Sequence, residues 1–237
     1  AFNGTGLTSV IIPDSVTTIA ESAFVSTPLT AVTIQVSEEV GNYPDFSSSF
    51  DGGVVFTYHK KLDSTAATAL ITDQGTDVVI PGTYNLIDDG AFSGSSLTSV
   101  VIPDSVISIG GGAFTGTGLT SVEIPDSVIS IGGGAFSDTQ LTSVTIGNSV
   151  ETIGGAAFNR TQLTSVEIPN SVTSIGDGAF YGLSSLTAVT IGDSVETIGN
   201  SSFFGTQLTS VEIPDSVTFI GDGAFFDLSS LTAVTIQ

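Results

Sequence analysis

The chain has 237 residues, 40% of them hydrophobic, and sets 24 Asp and Glu against only three Lys and Arg, for a formal net charge of −21. Such a charge repels nucleic acid and anionic lipid surfaces, which are excluded as partners, and no apolar run approaches the length needed to insert into a membrane. With no cysteine, the chain cannot form disulfides, thiolate metal sites or a cysteine nucleophile.

In chain order, one sentence is written over and over. Its clearest copy is Leu163–Phe180, LTSVEIPNSVTSIGDGAF, and the leucines that open each copy are Leu7, Leu29, Leu97, Leu119, Leu141, Leu163, Leu186, Leu208 and Leu231, spaced by 22 or 23 residues from Leu97 onward. A repeat of that length predicts a solenoid, in which each residue stacks on its own copies at about the 4.8 Å spacing of a β-ladder. Ala1 and Phe2 read as the tail of a coil, and residues 1–35 carry two repeats. Over residues 36–74 the pattern fails. There Val54–Tyr58 alternates as a strand does and Thr68–Thr72 offers a second apolar run, so the stretch reads as a β-hairpin insertion with His59, Lys60 and Lys61 leading into its connection. The register resumes at Gly75, which stands where leucine is expected, and the array runs through 75–237.

The columns of the repeat have physical meanings. Leu163, Val166 and Ile168 bury one side of a strand while Ser165 and Glu167 face out, and Pro169 stops the strand because proline cannot donate to a ladder. The following Asn170-Ser171, Asp-Ser in other copies, are turn residues whose side chains bond nearby backbone. The glycine column of Gly110, Gly132, Gly154, Gly176, Gly199 and Gly221 calls for either a positive φ or close backbone approach. One phenylalanine per coil, Phe24, Phe92, Phe114, Phe136, Phe158, Phe180, Phe203 and Phe225, predicts a continuous aromatic spine. From Leu119 two types of copy alternate: VEIP at Glu123, Glu167 and Glu212, and VTIG at Thr145 and Thr190, a two-repeat unit of about 45 residues.

The pattern LTSVxIPxSVxxIGxxAF resembles the BspA-like leucine-rich repeats, found in surface and secreted proteins of bacteria and some protists. Their consensus carries a cysteine shortly after AF, where this chain has Thr117, Thr139, Thr161 and Thr206. The segment Asp51–Phe56 is similar to an interruption that members often carry, which implies a structural insertion. The resemblance implies an α/β repeat solenoid: a right-handed coil with a parallel sheet on one face and short helical or 3₁₀ turns on the other. It also implies an extracellular or cell-surface setting and work in adhesion or matrix building through protein or glycan contacts.

Leucine-rich repeats display their binding surface at the outward strand positions. Here those form a row of small residues (Ser99, Ser121, Ser143, Ser165, Ala188, Ser210) and a second row, Val101, Glu123, Thr145, Glu167, Thr190 and Glu212, that turns acidic toward the C-terminal end. The second row is the candidate site for a protein or glycan ligand; exposed strands also favour Thr for its shape alone. Ice binding by the Thr positions is interrupted by the three glutamates. Asp104 and Asp126 stand about one strand spacing apart and could share a Ca²⁺, but the column continues as Asn148 and Asn170, the pattern of turn capping, and no metal or cofactor is assigned. Catalysis finds no constellation. His59 is the lone histidine, no GxSxG occurs, the acid pairs Glu38-Glu39 and Asp88-Asp89 read as solvated faces, and Gly110–Gly112 lacks the Lys-Ser/Thr of a phosphate loop. Three sequons, at Asn3, Asn159 and Asn200, are glycosylation candidates. Finally, both termini read as mid-coil and LTAVTIQ recurs at 29–35 and 231–237, so the chain is expected to be a segment of a longer array, with end-to-end self-association into a filament as the alternative role.

Overall fold

The structure, a computed structural model, describes residues 55–237 without a break and, ahead of them, residues 2, 5–13, 16, 19, 23–24 and 27–36. Two compact units are present, Ala1–Lys61 and Leu62–Gln237.

In the first unit the two repeats lie in register. Strand β1 (Ser9–Ile12) pairs in parallel with β2 (Ala31–Val36), Ser9 opposite Ala31, and Ile12, Phe24, Leu29, Val32 and Ile34 are buried together. Phe2 stacks on Phe24 at 4.8 Å.

The hairpin expected over 36–74 is corrected. Residues 37–54 lie outside the described residues; after them β3 (Val55–Leu62) runs parallel to β2, Ala31 opposite Val55, so it takes the place of another coil strand and is not a hairpin arm. The apolar run Thr68–Thr72 belongs to helix α1 (Ser64–Gln74). The carboxylate of Asp63 caps that helix by accepting from the Thr65 and Ala66 amides at 3.0 and 2.9 Å, and Gly75 ends it with φ 81° while its own N–H donates to the Ile71 carbonyl. Three alanines favour the helix, and a five-residue apolar run does not by itself choose between helix and strand. Gly75 replaces the expected leucine because a helix C-terminus calls for a left-handed residue there.

In the second unit every full coil contributes two short strands. They are β4 (Asp77–Val79), β5 (Leu86–Ile87), β6 (Ser99–Val101), β7 (Ser108–Ile109), β8 (Ser121–Glu123), β9 (Ser130–Ile131), β10 (Ser143–Thr145), β11 (Thr152–Ile153), β12 (Ser165–Glu167), β13 (Ser174–Ile175), β14 (Ala188–Thr190), β15 (Thr197–Ile198), β16 (Ser210–Ile213), β17 (Phe219–Ile220) and β18 (Ala233–Ile236). The two-residue strands β5 to β17 form one unbroken parallel ladder. The longer strands, expected to make the continuous sheet, pair only two by two: β4 with β6, β8 with β10, β12 with β14 and β16 with β18.

Consecutive coils therefore meet at two kinds of joint. At a paired joint such as β8/β10, the Ile124 amide reaches the Thr145 carbonyl, and the Asp126 carboxylate accepts from the Asn148 amide at 2.7 Å. A Cβ on Gly147 would stand 2.3 Å from the Pro125 carbonyl oxygen, and one on Gly192 would stand 2.4 Å from that of Pro169, so only glycine fits. This contact is why VTIG follows VEIP. At a splayed joint such as β10/β12, the Gln162 amide donates to the Leu141 carbonyl, and the Ser171 hydroxyl donates to the Val150 carbonyl at 2.7 Å. The turn residues thus bond the neighbouring coil more than their own turn.

The inner columns are indifferent to joint type. Phe92, Phe114, Phe136, Phe158, Phe180, Phe203 and Phe225 stack with centroids 5.1–5.5 Å apart, the aromatic spine the sequence predicts. Thr117, Thr139, Thr161 and Thr206 are buried beside it, each hydroxyl donating to the phenylalanine carbonyl three residues back at 2.8–3.0 Å. For the column Gly110 to Gly221 the structure decides for close approach, since a Cβ there would meet the preceding coil's backbone at 2.5–2.7 Å. The positive φ sits two residues later, at Gly112, Gly134 and Gly178, and Ala156 adopts it with φ 55°. That left-handed residue is also why the outer arc is made of turns and not of the helical or 3₁₀ segments expected: it stops any helix after one turn, and alternate amides, such as Gly112 to Gly133 and Phe114 to Ala135, bond the next coil instead.

Candidate binding face

All six residues of the second outward row fall on one structural position, the third residue of β6, β8, β10, β12, β14 and β16, and all are exposed. Strand alternation puts them there, because Val100, Val122, Val166 and Val211 turn inward at the position before. The paired ladders bring Glu123 opposite Thr145 and Glu167 opposite Thr190. Glu123, Glu167 and Glu212 are not brought together; two coils, about 10 Å, separate each from the next. Val101 is 53% exposed and Val79, its partner in register, 56%, so the N-terminal end of this stretch is an apolar step and the rest is hydroxyl and carboxylate.

Beside the row the surface is notched. A notch of about 260 Å³ is lined by Val144, Thr145, Ile146, Asn148, Glu167 and Pro169, and another of about 200 Å³ by Val189, Thr190, Ile191, Asp193, Glu212, Pro214 and Gln237. Both lie at splayed joints, β10/β12 and β14/β16. A further hollow of about 500 Å³ over β8 and β10 carries Asp104, Glu123 and Asp126 at its rim. The row itself is legible in the sequence, but the notches are not: their signal is the alternation of Pro and Gly, which reads as a turn preference until the joint types are known.

The Asp column acts in the turns. Asp126 Oδ1 accepts from both the backbone and the side-chain N–H of Asn148, at 2.7 and 3.3 Å, and Asn170 Oδ1 accepts from the Asp193 amide at 2.9 Å. A second acidic column does the same, with Asn200 N–H donating to Asp177 Oδ1 and the Asp222 amide to Asn200 Oδ1, both at 2.7 Å.

Of the sequon asparagines, Asn3 lies outside the described residues. Asn159 is half-buried, its Oδ1 enclosed without a hydrogen-bond partner. Asn200 is exposed, but its Nδ2 donates to Asp177 Oδ2 at 3.2 Å, so a glycan on that nitrogen would compete with a stitch between coils. His59 sits on β3, and partial burial holds its imidazole below the ordinary value of 6.5. Arg160 stands 3.7 Å from Asp138 in an exposed pair across two turns, worth little in water. No helix among the described residues is long and apolar enough to cross a membrane.

No curated protein matches the sequence. A leucine-rich cell surface protein of Faecalibacterium prausnitzii is 28% identical, with 98% of this chain and 79% of that one covered, at a TM-score of 0.41. A leucine-rich repeat protein of Bacteroides ovatus, 23% identical over 86% of this chain and 69% of its own, superposes with a TM-score of 0.53 and shares the fold. The family model for the BspA type leucine-rich repeat region matches in six copies over residues 1–51, 67–173 and 151–237. With the repeat columns, the coil joints and this match in agreement, the chain belongs to the BspA-type leucine-rich-repeat family.

Proposed function

We propose that this chain is a non-catalytic recognition module of an extracellular or cell-surface protein, binding a protein or glycan partner through the outward row Val101–Glu212. The observation that carries the reading is the row itself. Six successive coils hold one solvent-exposed side chain each at the same position, fixed from behind by the phenylalanine and leucine columns, so the face is rigid and can be changed residue by residue without disturbing the core. Membership in a family found on surfaces and in secretions supports the setting. Adhesion and matrix building fit a surface of this kind, which offers many small contacts spread along its length.

The test compares two arginine variants of the soluble protein on a glycan array and on immobilised host and bacterial surface fractions. Thr145→Arg/Thr190→Arg obstructs the face, whereas Ser184→Arg alters an exposed position on the outer turn. Loss of the captured ligand in the first variant alone is the expected result. Equal capture by both variants would move the binding surface elsewhere.

A further inference from the structure

The two notches at the splayed joints are copies of each other. Val144, Thr145, Ile146, Asn148, Glu167 and Pro169 in one are matched, 45 residues on, by Val189, Thr190, Ile191, Asp193, Glu212 and Pro214 in the other. The floor is apolar and incompletely sealed. Val144 and Val189 are half-buried, whereas Val122, Val166 and Val211, the same residue in the VEIP coils, are only 4–5% exposed. The exposed carboxylate of Glu167 stands on the wall of the first; in the second Glu212 takes that place and Asp193, where the first has Asn148, adds another.

A notch with an apolar floor and carboxylate at its wall suits a long basic side chain, whose methylene stem lies on apolar surface while its charge stays at the rim. A sugar hydroxyl gains nothing from the floor, and a purely apolar group leaves the carboxylate desolvated. The net charge of −21 draws cations toward the whole surface.

Spacing then selects the partner's backbone. The notches repeat every two coils, about 10 Å. A polyproline II chain advances about 3.1 Å per residue with three residues per turn, so every third side chain returns to one edge after about 9.3 Å, with no other side chain facing the ridge between. A β-strand places same-face side chains about 7 and 13 Å apart and so misses the second notch. An α-helix reaches it after seven residues, about 10.5 Å, but sets the side chains three and four positions along against the ridge between notches.

Resting on the reading of this face as a recognition surface, we infer that the notches bind a polyproline II segment with Lys or Arg at every third position, charge against Glu167 and Glu212. In the second notch Gln237 lines the wall and its amide donates to Glu212, so the ligand displaces that contact.

The experiment measures fluorescence polarisation with three peptides of equal charge at about 150 mM salt, where long-range attraction is screened. One repeats Pro-Pro-Lys, one alternates Val and Lys, and one is a helix with Lys at every seventh position. The first should bind roughly tenfold tighter than the others. Glu167→Gln/Glu212→Gln should weaken it roughly three- to tenfold with an unchanged melting temperature, since both groups are exposed. Equal affinity for all three peptides, preference for either comparison peptide, no binding at all, or indifference to the double variant overturns the proposal. If it falls while Thr145→Arg/Thr190→Arg still abolishes capture of a surface ligand, only the partner's chemistry is wrong; if both fail, the face reading falls with it.

Discussion

The joint between the coils of Leu119 and Leu141 and the joint between those of Leu141 and Leu163 bury the same columns and are held differently. At the first, β8 and β10 share a full ladder, an aspartate side chain ties the turns, and glycine lies against a proline carbonyl. At the second the strands part, a serine hydroxyl crosses between coils, and a notch opens. Hydrophobic stacking sets a period of 22 or 23 residues, whereas the strand ladders and the Pro/Gly contact set one twice as long. Gly147 and Pro169, which stand at the same place in their copies, are therefore specific to their joints.

Four perturbations sharpen that contrast, and the largest removes what both joints share. Phe158→Ala opens a cavity in the aromatic spine between a paired and a splayed joint and should cost roughly 3–5 kcal/mol in denaturant unfolding. Gly147→Ala strikes only the paired joint, driving a methyl into the Pro125 carbonyl, and should cost about 1–3 kcal/mol. A glycine of another column at the splayed β6/β8 joint, Gly118→Ala, meets its nearest atoms, in Leu97 and Thr98, at 3.3 Å and should change stability by less than about 1 kcal/mol. Equal costs for the two glycines would erase the distinction between joints. Ser171→Ala removes the splayed joint's hydroxyl stitch at a cost of about 1 kcal/mol, against about zero for the exposed Ser149→Ala in the VTIG coil.

The smallest effect lies outside both joints. Because burial lowers the folded-state value of His59 below 6.5, its neutral form favours the fold. That contribution is complete above the unfolded value and is lost as pH falls through the folded one. Melting temperature should therefore drop more steeply below about pH 6.5 in the native chain than in His59→Gln. Parallel curves would show that the imidazole is not linked to folding.

The sequence made some of this plain and hid the rest for physical reasons. Leu163, Val166, Ile168 and Phe180 announce their burial because an apolar column has one explanation in a solenoid, and the outward row follows from strand alternation. The helix 64–74 was hidden behind a run of five apolar-rich residues, although Asp63 ahead of it and Gly75 behind it are the cap residues that mark a helix. Joint type could not be read from one repeat, since Ser171 and Asp126 carry ordinary turn chemistry and only their partners, 21 and 22 residues away, reveal the stitch between coils. The notches follow from that alternation and stay invisible for the same reason.

The buried threonine column has a chemical consequence. Thr117, Thr139, Thr161 and Thr206 present hydroxyls already engaged with phenylalanine carbonyls, and the chain contains neither cysteine nor methionine. Peroxide and hypochlorite attack protein side chains foremost at sulfur, by the ladder from thiol to sulfonic acid and from thioether to sulfoxide. This core offers them no such atom. A coil built this way keeps its packing under oxidants that would wedge polar oxygens into a sulfur-lined one, and its stability should be the same in reducing and oxidising media.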